Sequence, residues 1–337
     1  SPELSTINLE KGFRIIMKKK VLVCPLNWGL GHATRCVPII REQLAAGNEV
    51  VICADGYPLE FLRQEFPALR TIELPSYPIR YSKRKSQVMA MLLFLPKLLK
   101  GIYDENKWLK ELLRQEHFDV IISDNRFGLW NRDIHSIYIT HQVMVKMPKG
   151  LKWLEPIGYI LHKYIINKYN ECLIPDFAED GGLSGDLSHK YALPANAKFI
   201  GTLSRFNDCK LTAADASYQV VAVISGVEPQ RTLFEKELIA VCKNSDKKTL
   251  IVQGKPGSEP FRVEITGNLT VVPYMNTSEL AAVLMGCEEI ISRSGYTTIM
   301  DLNALNCLNK ARLIPTPGQT EQEYLAGYLQ SKGYNKN

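Results

Sequence analysis

The stretch "VLVCPLNWGLGHATR", residues 21–35, decides how the rest of the chain is read. Val21 to Cys24 form a short apolar run of the kind that makes a buried strand, and a turn holding Gly29 and Gly31 follows. The next segment, "CVPIIREQLAAG", carries apolar residues at helical spacing and ends on Gly47, where a left-handed residue is wanted. Strand, glycine turn and helix in succession open a doubly wound α/β sheet, whose ligands collect beyond the carboxyl ends of the strands. The turn can hold a phosphate, present a base, or merely connect two elements.

The pattern extends outward. "NEVVICAD" (48–55), "FDVIISD" (118–124) and "SIYITH" (136–141) read as further buried parallel strands. A second series follows: "YQVVAVISG" (218–226), "KTLIVQG" (248–254), "LTVVPYM" (269–275), "EEIISRSG" (288–295) and "ARLIPTPG" (311–318). Between the series the chain turns polar and aperiodic, as a linker does. The fold class is therefore α/β, with two Rossmann-like doubly wound parallel-sheet domains at residues 17–203 and 218–337, a linker at 204–217, and residues 1–16 as an extension ahead of Met17. The loops after Leu26, Ser225, Gly254, Ser292 and Pro315 should converge on one crevice.

Bulk composition sets the limits. At 337 residues with 45% hydrophobic and 23% charged content, the chain can bury two cores and is not a disordered one. Eight scattered cysteines without a C-x-x-C pair fit reduced thiols and a cytoplasmic address, and speak against a disulfide framework or a zinc site. No run of about 18 apolar residues occurs, so nothing is expected to span a bilayer. Residues 1–203 hold 27 Lys and Arg against 21 Asp and Glu, and the remainder holds 14 against 14, so the whole net charge of +6 lies in the first half. An anionic membrane or a nucleic acid could use that charge. For nucleic acid, neither a recognition motif nor an aromatic RNA-binding strand is present.

Four places carry chemistry. A dinucleotide site at the opening turn would have Asp55 as its ribose acid, but Trp28 and the missing third glycine count against NAD(P). His32 stands at the sheet's carboxyl edge and at a helix start, where the dipole favours the neutral imidazole that a general base needs. Its bland role is to bond the loop. Asp124 ends another strand of the same domain and could orient His32 and stabilise its cation; alone it could equally serve an Asx turn. Ser294 and Gly295 open a helix directly after a strand, as an anion site requires, and Asp301 follows two turns later, where it is either a ribose contact or a solvated acid. Gln319, Glu321, Gln322 and Glu323 gather donors and acceptors suited to sugar hydroxyls, or form an ordinary acidic first turn.

"RSGYTTIMDL" (293–302) followed by "LIPTPGQTEQEYLA" (313–326) resembles the donor-binding signature of GT-B glycosyltransferases of the family 28, MurG-like type. Arg293, Gly295, Asp301, Pro315 and the pair Gln322-Glu323 stand at the signature positions, with Glu323 in place of the second Gln. "GLGHATR" is similar to the family's amino-terminal Gly-Gly-His loop, and the resemblance runs from about Lys18 to Leu329. It implies a nucleotide-sugar co-substrate, UDP-linked, and no other cofactor. Ser225, Gly226, Ser294 and Gly295 would then lie near the diphosphate, Asp301 on the ribose, and Met275 beside the base. Gln319, Thr320, Glu321 and Gln322 would touch the sugar, with Gly29, Gly31, Arg293, Tyr296 and Thr297 in the same donor site. His32 would be the base and Asp124 its partner. The implied reaction is direct displacement of a hexose or N-acetylhexosamine, without a metal, since no D-x-D stretch is present. The alternative is a non-catalytic protein that binds nucleotide sugars.

Two segments suggest the acceptor. "YSKRKSQVMAMLLFLPKLLKG" (81–101) and "GLKWLEPIGYILHKYIINKY" (150–169) join basic residues to apolar and aromatic ones, which fits either buried core or a peripheral contact with an anionic membrane. The corresponding expectation is a lipid-linked or hydrophobic acceptor met at the inner face of the cell membrane.

Overall fold

A computed structural model describes residues 18–75, 87–147, 149–207, 213–258 and 262–334. The first sheet is made of β1 (Lys20–Pro25), β2 (Glu49–Ala54), β3 (Arg70–Glu73), β4 (Val120–Asp124), β5 (His135–Ile139), β6 (Glu171–Ile174) and β7 (Ala197–Phe199). They pair in parallel in the order β3-β2-β1-β4-β5-β6-β7. The second contains β8 (Val220–Val223), β9 (Thr249–Val252), β10 (Val263–Thr266), β11 (Leu269–Val272), β12 (Glu289–Arg293) and β13 (Ala311–Ile314), in the order β10-β11-β9-β8-β12-β13. There β10 alone is antiparallel, at the edge. The helices are α1 (Gly31–Ala45), α2 (Gly56–Glu65), α3 (Gln87–Gln115), α4 (Glu155–Ile166), α5 (Asp186–His189), α6 (Gln230–Cys242), α7 (Thr277–Gly286), α8 (Tyr296–Ala304) and α9 (Thr320–Ser331). This is the two-sheet α/β architecture that the apolar runs specify.

Side-chain alternation explains the double layer. Val21 and Val23 of β1 point into a cluster with Ala33, Val37 and Ile40 of α1 and Phe61 of α2, while Leu22 and Cys24 point the other way, toward Leu109 of α3. Both faces of the strand are buried, so the run reads as continuously apolar rather than alternating. The second sheet repeats this, with Ile290 on one face among α7 and α8 residues and Ile291 on the other beside Phe234 of α6. Leu183, Leu187 and Phe206 also join the second sheet's core.

Four strands escape the sequence reading. β3, β7 and β10 are three- or four-residue edge strands, and β6 is buried only at Cys172 and Ile174, so none of the four carries a continuous buried apolar run. The first helix also starts earlier than its apolar spacing suggests, at Gly31 rather than Cys36, so His32 and Arg35 lie one turn apart on a helix. The seven described cysteines are free and buried. Among the described residues no helix is long and apolar enough to cross a membrane. The extension at 1–16, the basic cluster Lys83-Arg84-Lys85 and residues 208–212 of the linker fall outside the described residues.

Candidate active site

Strand order decides where the site lies. In the first sheet the chain moves from β1 outward to β3, then returns to place β4 on the other side of β1; in the second, β8 and β12 are neighbours divided in the same way. At such a switch point the loops leaving adjacent strands diverge and open a crevice. The loop after β1 carries His32 and β4 ends on Asp124, whereas the loop after β8 carries Ser225 and Gly226 and the one after β12 carries Ser294 and Gly295. Sequence positions far apart are brought together by the same topological rule in both halves.

The two crevices face each other. Gly29 (φ +98°) stands so close to Gly226 (φ +110°) that a Cβ on the former would lie 3.8 Å from the carbonyl oxygen of the latter. A Cβ on Gly31 would meet Thr297 Oγ1 at 2.9 Å, displacing the hydroxyl that donates to the Gly31 carbonyl at 3.2 Å. A side chain at position 31 would have to push Thr297 aside, so the small residue keeps this contact between α1 and α8. Phe61 and Tyr274 meet edge to face at 6.4 Å farther along the seam.

At the centre, His32 Nδ1 lies 2.8 Å from Asp124 Oδ1. Asp124 is wholly buried, and Arg35 reaches it from the turn below His32, Nε donating to Oδ2 at 2.5 Å and the terminal NH2 donating to Oδ1. Burial alone would raise the Asp124 carboxyl, but the charges of Arg35 and then His32 hold it down at about 2. The His32 imidazole is lowered from its ordinary value, first by burial and then by Arg35, against the opposing pull of Asp124. The sequence alone points to the helix dipole as the cause of that lowering; burial and a buried cation account for it here.

Other nominated residues are placed as follows. Gly295 is the N-cap of α8, which no side chain caps, so the N–H groups of its first turn are left to a ligand or solvent. The Ser294 hydroxyl instead donates to the carbonyl of Gln322, and the Gln322 side chain accepts from the amide of Thr316. Arg293 shares a strand face with Ile291 and lies over Phe234 at 3.8 Å, its guanidinium donating to the Pro315 carbonyl; it is directed away from Ser294. Tyr296 is buried, stacks on His141 at 4.4 Å and donates its hydroxyl to the Pro175 carbonyl. Thr320 donates to the Lys146 carbonyl, and Gln319 is the N-cap of α9. Met275 packs partly buried against the second core. Asp301 accepts from the Ser204 hydroxyl at 2.6 Å, and burial raises its carboxyl to about 6 despite the opposing charge of Arg205.

Two residues that sequence reasoning missed complete the cluster. Arg35 lies in the opening stretch, three residues after His32, and that helical spacing is its signal. His141 follows β5 as Asp124 ends β4; its Nδ1 is 3.0 Å from Arg35 NH1 and its Nε2 2.8 Å from Glu321 Oε1. Among the described residues no group of three or more His, Cys, Asp or Glu side chains is arranged to hold a metal.

No protein-family model matches the chain. An uncharacterized glycosyltransferase of Methanosarcina acetivorans is 26% identical over 338 residues, covering 94% of this chain and 83% of that protein. One from Methanosarcina mazei is 23% identical over 344 residues, covering 95% and 85%. Among solved structures, the glycotransferase of kitacinnamycin superposes with a TM-score of 0.59 at 15% identity, over 95% of this chain and 86% of that one. Spinosyn rhamnosyltransferase SpnG gives 0.58 at 16% identity, over 93% and 85%. These likenesses show the fold: two parallel-sheet α/β domains arranged as in GT-B glycosyltransferases.

Proposed function

We propose that the chain is a hexosyltransferase of the family 28 type, moving a hexose or N-acetylhexosamine from a UDP-linked sugar to a hydrophobic or lipid-linked acceptor. The observation that carries this reading is the meeting of two switch points: a partly buried His32 bonded to a fully buried Asp124 on one side and the uncapped start of α8 on the other. Glycosyltransferases among the relatives support it. Residues 17–203 would take the acceptor and 218–337 the donor.

With its Nδ1 proton donated to Asp124, His32 has Nε2 free to accept a proton. The acceptor hydroxyl loses its proton to Nε2 as its oxygen attacks the anomeric carbon; the bond from that carbon to the diphosphate oxygen breaks, and the electron pair leaves with the nucleotide. Asp124 stabilises the imidazolium, while the first-turn N–H groups of α8 receive the charge gathering on the diphosphate. A helix start can do the electrostatic work of a cation at this point, so no metal is needed. Incubation with labelled UDP-sugars and a lipid extract should give labelled product equally with and without EDTA. Loss of turnover in EDTA would overturn the metal-free mechanism.

Asp301, proposed to bind the ribose, makes a separate prediction. Its carboxyl is raised in the folded state, so the folded protein holds a proton there that the unfolded chain releases, and stability falls as pH rises from about 4 to about 6. Asp301→Asn should therefore stabilise the protein above pH 6 by about 1–3 kcal/mol while weakening donor binding. Urea unfolding at pH 7.5 and nucleotide titration check the two halves; destabilisation with unchanged binding would contradict the role.

The acceptor reading rests on α4 and the turn before it. Trp153, Ile157, Ile160 and Tyr164 recur at helical spacing and are all exposed, Trp153 at 69% and Tyr164 at 63%, with Lys152, Lys163 and Lys168 alongside. An apolar stripe edged with lysine fits an anionic bilayer surface, each lysine contributing about 1 kcal/mol. The protein should float with anionic vesicles at low salt, and Trp153→Ser with Ile160→Ser should abolish flotation. Absence of wild-type binding at low salt would remove the membrane contact.

A further inference from the structure

The charged groups facing His32 come from four elements: Asp124 from β4, Arg35 from α1, His141 from beyond β5, and Glu321 from the first turn of α9. Arg35 is the hub. Its guanidinium donates to both oxygens of Asp124, lies 3.0 Å from His32 Nδ1, and lies 3.0 Å from His141 Nδ1. A guanidinium has only donors, so His141 must accept at Nδ1 and carry its proton on Nε2, where it donates to Glu321 at 2.8 Å. His32 Nδ1 has a carboxylate at 2.8 Å and an N–H donor at 3.0 Å; the shorter, charge-assisted contact places its proton on Nδ1. His141 is itself held from the second half of the molecule, stacked on Tyr296 with an interplanar angle of 5° and bonded to Glu321. Cys36 adds only a long thiol contact to Asp124 at 3.7 Å.

We propose that Arg35 is the positioning residue of the His32 base, and that His141, itself anchored by Glu321 from the opposite half, holds Arg35 in place, so that the base is oriented while the first turn of α9 is seated. This deepens the transferase reading and rests on it. The segment nominated for the donor sugar, residues 319–322 at the start of α9, then also completes a polar chain, Glu321–His141–Arg35–Asp124–His32, that ends on the group taking the proton. Occupancy at one end is felt at the other because every link is a directional hydrogen bond with one permitted polarity.

The test is a pH titration of the full chain labelled with 15N-histidine, its six histidines assigned by single His→Gln variants. In the unmutated protein the expected result is His32 with its proton on Nδ1 and His141 with its proton on Nε2. Arg35→Gln should raise the His32 midpoint by about one pH unit or more, because Asp124 then faces the imidazole uncompensated. Glu321→Ala should move it the opposite way, since a negative charge near the imidazole is lost. In turnover, Arg35→Gln should cut kcat by roughly ten- to a hundredfold with donor KM within about threefold, and Arg35→Lys should not rescue it, because one ammonium cannot span Asp124 and His141. A His141 proton on Nδ1 in the unmutated protein, or a His32 midpoint unmoved in a folded Arg35→Gln variant, would overturn the proposal. Should Arg35→Gln fail to fold, the unmutated tautomers and Glu321→Ala still decide. The titrations need no substrate, so failure of the transferase reading is separately visible as absence of sugar transfer with the tautomers intact.

Discussion

Replacing His32 with Ala is expected to lower kcat by about 10²–10⁴-fold, the range general-base catalysis supplies, with the donor dissociation constant changed by less than about threefold. The separation follows from geometry. His32 belongs to α1 and bonds Asp124, whereas the diphosphate is proposed to lie at the start of α8, so removal of the imidazole should take away the proposed proton acceptor and leave the start of α8 unchanged. Single-turnover kinetics beside nucleotide titration would measure both. A protein that only senses nucleotide sugars would have no turnover for the substitution to reduce, and turnover unaffected by His32→Ala would assign the base elsewhere.

The largest effect on stability is expected at Asp124. Asp124→Asn leaves Arg35 fully buried without its counter-charge, and breaking a buried pair from one side costs about 3–5 kcal/mol. The pH dependence has a definite sign. The folded carboxyl is held at about 2, below its unfolded value, so its stabilisation is fully present above about pH 4 and disappears as pH falls toward 2, a loss of about 2–3 kcal/mol. The variant should be both less stable at neutral pH and flatter in acid. Replacing the pair together, Arg35→Met with Asp124→Leu, should recover most of the stability and none of the turnover, since a buried ion pair exchanged for apolar groups of similar volume is close to neutral. Urea unfolding from pH 2 to pH 8 distinguishes these outcomes; equal stability of Asp124→Asn and the parent at pH 7 would contradict the charge pairing described here.

How much of this is legible in the sequence varies with the length scale of the physics involved. Buried central strands announce themselves because both faces must be apolar, and "VLVC", "VVIC" and "VIIS" could hardly be anything else in a doubly wound sheet. Edge strands such as Arg70–Glu73 and Val263–Thr266 have too few residues and too much exposure to leave that signature. The meeting of His32 with Asp124 can be anticipated because each ends or follows a strand, and strand ends gather. Side-chain direction at the same strand ends is harder. Arg293 follows Ile291 by two residues and so shares its face, which commits it to Phe234 on α6; alternation alone could have revealed this. Ser294 gives its hydroxyl to Gln322, a contact that depends on how α9 docks and has no local signal. His141 stands at the end of its strand with no role legible in sequence, because its contact with Arg35 depends on how the loop after β5 meets α1 and leaves no local signal.

The measurement that bears most directly on the central claim is calorimetric titration of the intact protein and its His32→Ala variant with a panel of nucleoside-diphosphate sugars. Binding of one UDP-sugar to both proteins, with transfer or hydrolysis by the parent only, is the expected result. No binding of any nucleotide sugar to either would contradict the assignment of the facing switch points as a donor cleft.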